Sequence, residues 1–211
     1  MSAVVETRID GLVAIEPTVH GDSRGFLIES FSSERWREFG IDEVFVQENH
    51  SRSTQRGTLR GMHFQTDPGQ GKLIRCPRGA IFDVAVDLRR GSPTFGQWEG
   101  HVLDDETHRQ LWVPVGFGHG FQVLSEVADV AYKVTSLYDP ETESQLAWDD
   151  PDVGIEWPIP DPVLSAARRL DAEGQAVADL AEGRRPGVAV AEDRVGDRPL
   201  DADVGVVPGE L

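Results

Sequence analysis

Between residues 11 and 136 the chain is a succession of ten short apolar or alternating runs, each closed by turn-forming residues, and this pattern restricts its possible folds more than any other feature. The runs occupy residues 12–15, 25–31, 44–49, 58–65, 72–76, 80–88, 97–103, 110–113, 119–125 and 129–136. Breakers stand at Gly21 with Asp22, at 67–71, at 77–79, at 91–93 and at 114–118. Runs of this length suit strands. Only 33–39 carries a helix signal here, with Ser32 or Ser33 as its cap. The pattern predicts an all-β sandwich or barrel.

Length and charge narrow the function. A chain of 211 residues holds one ordinary domain and some excess. After Trp157, three prolines at 158, 160 and 162 end the strand-rich part, which assigns 1–165 to the domain. An Ala-rich helical segment capped by Ser165 is expected at 166–183 and a flexible acidic tail at 184–211. The net charge of −17 repels nucleic acid and anionic membrane surfaces, so neither is expected as a partner. An anionic ligand would need local Arg and Lys to overcome that field. Cys76 is the only cysteine, which excludes an internal disulfide and fits a reducing compartment. With no signal-peptide pattern and no apolar run of membrane-spanning length, a cytoplasmic protein is expected.

Alternation gives the strands faces. In 80–88 one face carries Phe82, Val84, Val86 and Leu88, a core face; the other carries Ile81, Asp83, Ala85 and Asp87. The second suits either a ligand-holding barrel interior or a solvated outer surface, and this strand taken alone favours the surface. The densest reactive cluster is 58–65 with Lys72 beyond a Gly-rich turn. A histidine beside a lysine suits proton abstraction next to a carbonyl, the imidazole taking the proton and the cation offsetting charge on the oxygen. A core histidine with a surface lysine is the structural alternative. Strict alternation puts Arg60 opposite His63 unless Gly61 forms a bulge. Metal binding would call for a second imidazole where Gln65 stands; His119 alone gives a poor ligand set. Tyr132 lies on an apolar face with Val130 and Val134, where a phenol can donate a proton or simply pack. Tyr138 is a loop aromatic that could stack on a planar base.

The order of Arg24, Gly25, Phe26 and Glu29, then 47–51, 60–65, 71–73, 82–87, 91–98, 110–112, 118–121 and Tyr132 with Lys133, resembles the dTDP-4-dehydrorhamnose 3,5-epimerase family, from about residue 10 to Trp157. The resemblance implies a double-stranded β-helix (cupin, jelly-roll) with few short helices, a homodimer, a dTDP-sugar substrate and no metal or other cofactor. It implies inversion at C3 and C5 of dTDP-4-dehydro-6-deoxy-D-glucose. By position, His63 matches the base, Tyr132 the acid acting from the other face, and Lys72 the group that stabilises the enolate. Asp83 and His119 match polar pocket residues; Arg24, Glu29, Gln47, Asn49, Arg60 and Glu143 match positions holding nucleotide and sugar, and Tyr138 the aromatic stacking on thymine.

One departure stands out. Where the family has a Lys followed by the Asp that pairs with the base, this chain has Ala167 and Arg168, with Asp171 three residues on. Loss of that acid would weaken proton abstraction or redirect it. The alternatives to a 3,5-epimerase are therefore an epimerase of one carbon and a non-catalytic cupin that binds a dTDP-sugar.

Overall fold

The computed structural model describes residues 2–164. Those residues form two antiparallel sheets, a separate hairpin and one short helix. The six-stranded sheet runs β1 (Ala3–Val5), β2 (Val13–Glu16), β10 (Gln110–Val113), β7 (Lys72–Arg78), β12 (Ala128–Val134) and β5 (Gln47–Ser53). The five-stranded sheet runs β13 (Glu143–Gln145), β6 (Leu59–Gln65), β11 (Phe117–Val123), β8 (Ala80–Asp87) and β9 (Trp98–Asp104). The hairpin is β3 (Val19–Asp22) with β4 (Gly25–Ile28). Neighbouring strands are mostly distant in sequence, the crossed connectivity of a jelly roll.

Three apolar clusters hold the layers. Between the sheets lie Ile74, Leu111 and Val130 from one and Ile81, Leu103 and Val123 from the other. The outer side of the five-stranded sheet is covered by the chain after β13: Leu146, Val153 and Trp157 pack over Met62, Val84 and Val86. The outer side of the six-stranded sheet carries Ile15, Leu73 and Trp112 under α1 (Ser33–Glu38), whose Trp36 is fully buried. The predicted helix forms where expected, with Ser32 Oγ accepting the Arg35 N–H as N-cap.

The solvated reading of 80–88 is wrong. Asp83 and Asp87 are completely buried, because inward residues of β8 face the other sheet and outward ones face the 146–157 covering segment. The reason is tertiary: a strand sandwiched on both sides shows polar residues inside wherever each has a partner. Asp87 has the Arg89 guanidinium and the Ser92 and Thr94 hydroxyls. Strand ends also shift. Gly21 and Asp22 belong to β3 rather than to a break, since the turn falls at 23–24, and Asp22 Oδ1 accepts the Arg24 N–H. The strand expected at 44–49 runs instead from Gln47 to Ser53, paired along β12. The expected segments 166–183 and 184–211 lie outside the described residues.

Candidate active site

A cavity of about 830 Å³ opens between the sheets. The five-stranded sheet contributes Arg60 and His63 from β6, His119 from β11 and Glu143 from β13. The six-stranded sheet faces them with Gln47 and Asn49 from β5, Lys72 from β7 and Tyr132 from β12. Tyr138 enters from the loop after β12.

Arg60 and His63 share the cavity because β6 is bulged. His119 pairs with His63 and Phe121 with Arg60, so a three-residue step on β6 matches a two-residue step on β11. Gly61 sits in the extra position at φ +124°, and a Cβ there would lie 2.2 Å from Gly120 Cα. Met62 is turned to the opposite side and fully buried in the outer cluster. The bulge anticipated at Gly61 is present, and it reverses the facing that strict alternation gives.

His63 Nδ1 lies 3.1 Å from Glu143 Oε1, and the other carboxylate oxygen accepts the Tyr138 hydroxyl at 3.0 Å. The hydrogen bond from His63 holds the Glu143 carboxyl below its ordinary pKa, against the opposing effect of burial. Directly across the strand pair, His119 Nε2 meets both Asp83 oxygens at 3.0 and 3.1 Å, deep in the protein. Lys72 is no surface lysine: burial pushes its ammonium down to about 8, opposed by the negative charges of Glu143 and Asp83. At neutral pH it keeps its charge. Burial raises the Tyr132 phenol, so the group stays protonated, and a hydrogen bond with Asn49 acts in the opposite direction. Gln47 Nε2 in turn donates to Asn49 Oδ1 at 2.7 Å. Arg60 donates to Ser53 Oγ and keeps an exposed guanidinium beside the cavity. Gln65 ties the loop through weak contacts from Nε2 to Leu137 O and Thr142 Oγ1, and its buried Oε1 has no hydrogen-bond partner among the described residues.

Nine of the anticipated site residues line the cavity, and Asp83 stands directly behind His119. Arg24 and Glu29 do not reach it. Arg24 is 88% exposed at the tip of the β3–β4 hairpin, paired with Asp22, and Glu29 follows the hairpin, paired with Arg35. Several lining residues escaped the sequence reading. Ser51 follows Gln47 and Asn49 on the same strand face and was open to detection by alternation; Gln145, opposite His63, and Gln70 were not.

Residues 6–178 match the family described as dTDP-4-dehydrorhamnose 3,5-epimerase. The chain belongs to the dTDP-4-dehydrorhamnose 3,5-epimerase family. A relative of that name from Pseudomonas aeruginosa is 51% identical over 173 residues, covering 81% of this chain and 93% of the relative. The dTDP-6-deoxy-D-glucose-3,5-epimerase of Legionella pneumophila, solved in complex with dTDP-4-keto-L-rhamnose, superposes with a TM-score of 0.79 at 48% identity, covering 85% of this chain and 97% of that one. A 3'-monoepimerase from Streptomyces bikiniensis, solved in complex with dTDP-quinovose, gives a TM-score of 0.76 at 38% identity, covering 84% and 90%. The jelly-roll expected from the resemblance is the observed fold of this epimerase family member. Among the described residues no helix is long and apolar enough to cross a membrane.

Proposed function

We propose that this chain is a 3,5-epimerase that converts dTDP-4-dehydro-6-deoxy-D-glucose to dTDP-4-dehydro-L-rhamnose for dTDP-L-rhamnose biosynthesis, using side chains alone. The observation that carries the reading is that His63 and Tyr132 face one cavity from opposite sheets. C3 and C5 both neighbour the C4 ketone, so a proton leaving either carbon leaves an enolate. His63 takes the proton from one face of the sugar ring. Lys72, charged at neutral pH and enclosed, stabilises the oxyanion where surrounding protein weakens solvent screening. Tyr132, held protonated, returns a proton from the other face, which inverts the carbon. His119 with Asp83, and Gln47 with Asn49, bind the sugar's polar groups, while Arg60 meets the diphosphate and Tyr138 the thymine.

Arg24 and Glu29, matched by the resemblance to positions holding nucleotide and sugar, stand on or beside a projecting hairpin with Phe26 and Leu27 60% and 71% exposed. A homodimer in which a second copy supplies these residues accounts for both facts. The single, buried Cys76 supports a cytoplasmic setting.

Incubation with dTDP-4-dehydro-6-deoxy-D-glucose in deuterated water, followed by NMR, tests the assignment. Deuterium at both C3 and C5 is expected. Label at one carbon would select a single-carbon epimerase, the second reading, which the likeness to the 3'-monoepimerase supports. Tight binding without label would sink the catalytic assignment.

A further inference from the structure

We infer that Gln70 is a positioning residue of this site: its side-chain amide clasps the loop that carries Tyr138 onto the turn that leads into Lys72, and so sets where Tyr138 stands at the cavity. The inference rests on the epimerase reading, in which Tyr138 meets the thymine, and extends it to a residue that acts through Tyr138.

The loop 135–142 has little packing to fix it, since Leu137 and Tyr138 are 65% and 56% exposed. Polar bonds hold it instead. Gln70 Nε2 donates to Ser136 O at 2.9 Å, two residues before Tyr138. Beside that bond, Ser136 Oγ donates to Gly69 O at 2.8 Å, Thr135 Oγ1 accepts the Gly71 N–H at 2.9 Å, and Gly71 O accepts the Thr135 N–H at 3.1 Å. At the far end of the loop Thr142 O accepts the Thr66 N–H at 3.0 Å. Both ends are thereby tied to one turn, 66–71, between β6 and β7.

That turn is a firm base for a clasp. Gly71 lies so close to Trp112 that a Cβ would come within 2.4 Å of ring carbon Cη2, and a Cβ at Gly69 would come within 2.4 Å of Val115 Cγ1. Trp112 is in turn buried in the cluster that contains Trp36 and Leu73. Packing therefore resists movement of the turn, and the turn's hydrogen bonds pass that resistance to the loop. A backbone carbonyl can only accept, so the amide of Gln70 serves Ser136 through its nitrogen, and the contact needs a donor at position 70. Gln70 also borders the cavity, whereas Ser136 does not, which lets the two ends of the bond be tested apart. A ring that stacks on a base contributes most when its loop is already ordered, because binding then costs less conformational freedom. Lys72 is fixed separately, by ladder pairing with Val113 and Val134. Loss of a clasp bond accordingly weakens nucleotide binding and leaves proton transfer at the sugar nearly unchanged.

The decisive variant is Gln70→Met, which keeps the length of the side chain and removes the donor. Expected is a rise of about 3- to 10-fold in the Kd for dTDP and in KM, with kcat changed less than about twofold. Ser136→Ala breaks a second clasp bond from a residue outside the cavity lining and should act in the same direction. Tyr132 and Tyr138 are the only tyrosines, so fluorotyrosine labelling gives two ¹⁹F signals, assigned with Tyr138→Phe. In Gln70→Met the Tyr138 signal should shift or broaden while that of Tyr132 stays. Because Gln70 acts through Tyr138, its effect on dTDP affinity should disappear in a Tyr138→Ala background. A Tyr138 signal indifferent to Gln70→Met would overturn the inference. So would an affinity loss that adds in full to that of Tyr138→Ala, the mark of direct contact between Gln70 and the ligand, or a fall in kcat as large as the rise in KM, the mark of a general role in the fold. Should Tyr138→Ala leave dTDP affinity unchanged, the reading of Tyr138 as the thymine contact fails, and the fluorine signals still decide whether Gln70 places that side chain.

Discussion

The space between the sheets is filled along one part and open along another, and β7 crosses from one to the other within a few residues. Lys72 faces the cavity, while Ile74 and Cys76, two and four positions on along the same face, are sealed in the central core. β12 makes the same change from Tyr132 to Val130 and Ala128. A second contrast lies in the histidine–carboxylate pairs. His63 and Glu143 at the cavity remain 32% and 25% exposed, whereas His101 and Glu99 on β9 are 9% and 6% exposed, with Glu99 also accepting the Arg8 and Ile9 N–H groups. The same pair of residue types lines the cavity where a ligand can reach it, and in the sealed region anchors the segment that follows β1 to β9. Accessibility divides the roles more than residue identity does.

Substitutions on the two sides should separate activity from stability. The largest effect is expected from His63→Ala, a loss of about 10²- to 10⁴-fold in deuterium exchange with a nearly unchanged melting temperature; a variant that kept its exchange rate would place the base elsewhere. In the filled region, Leu111→Ala removes a fully buried side chain and should lower unfolding free energy by about 2–5 kcal/mol, read from denaturant titration, with kcat per folded molecule retained. Glu99→Gln should cost about 1–3 kcal/mol, because the bond from His101 and those from two N–H groups lose their charged acceptor; a change in kcat would blur the contrast.

The smallest effect concerns pH. Lys72 ionises near 8, so kcat/KM should decline above that pH by about tenfold per unit as the oxyanion loses its cation. Stability moves the other way. The lysine's folded pKa lies below its unfolded one, so the fold carries the full cost of the buried charge below about pH 8. That cost is relieved as pH rises from about 8 toward 10.5, the ordinary lysine value. Replacing Lys72 with Met should remove both trends at once, and a basic limb that survived would belong to another group.

Much of the strand pattern was legible because hydrophobic period and turn residues are local: the run 110–113 coincides with β10, and the helix at 33–39 begins at its expected cap. What failed locally was what depends on partners at a distance. The inward facing of Asp83 required knowledge that residues 146–157 cover the other side of its strand. Glu143 was legible as a site residue through the resemblance, but its contact with His63 depends on β13 pairing with β6, some 80 residues earlier in the chain (143 − 63). Arg24 and Glu29 lie away from the cavity, and the proposed homodimer is what would return them to their expected role.

The sequence by itself determined the all-β class, the family and the candidate base, acid and lysine, since these rest on residue types and their order along the chain. The tertiary structure decided how they are placed. The bulge at Gly61 turns Arg60 and His63 to the same side, because only a residue without Cβ fits against Gly120 at that backbone angle. Burial sets Lys72 near 8 and keeps Tyr132 protonated, and pairing of β13 with β6 brings a carboxylate to His63. Enclosure and register arise from contacts between distant segments, which residue order specifies and local pattern does not display.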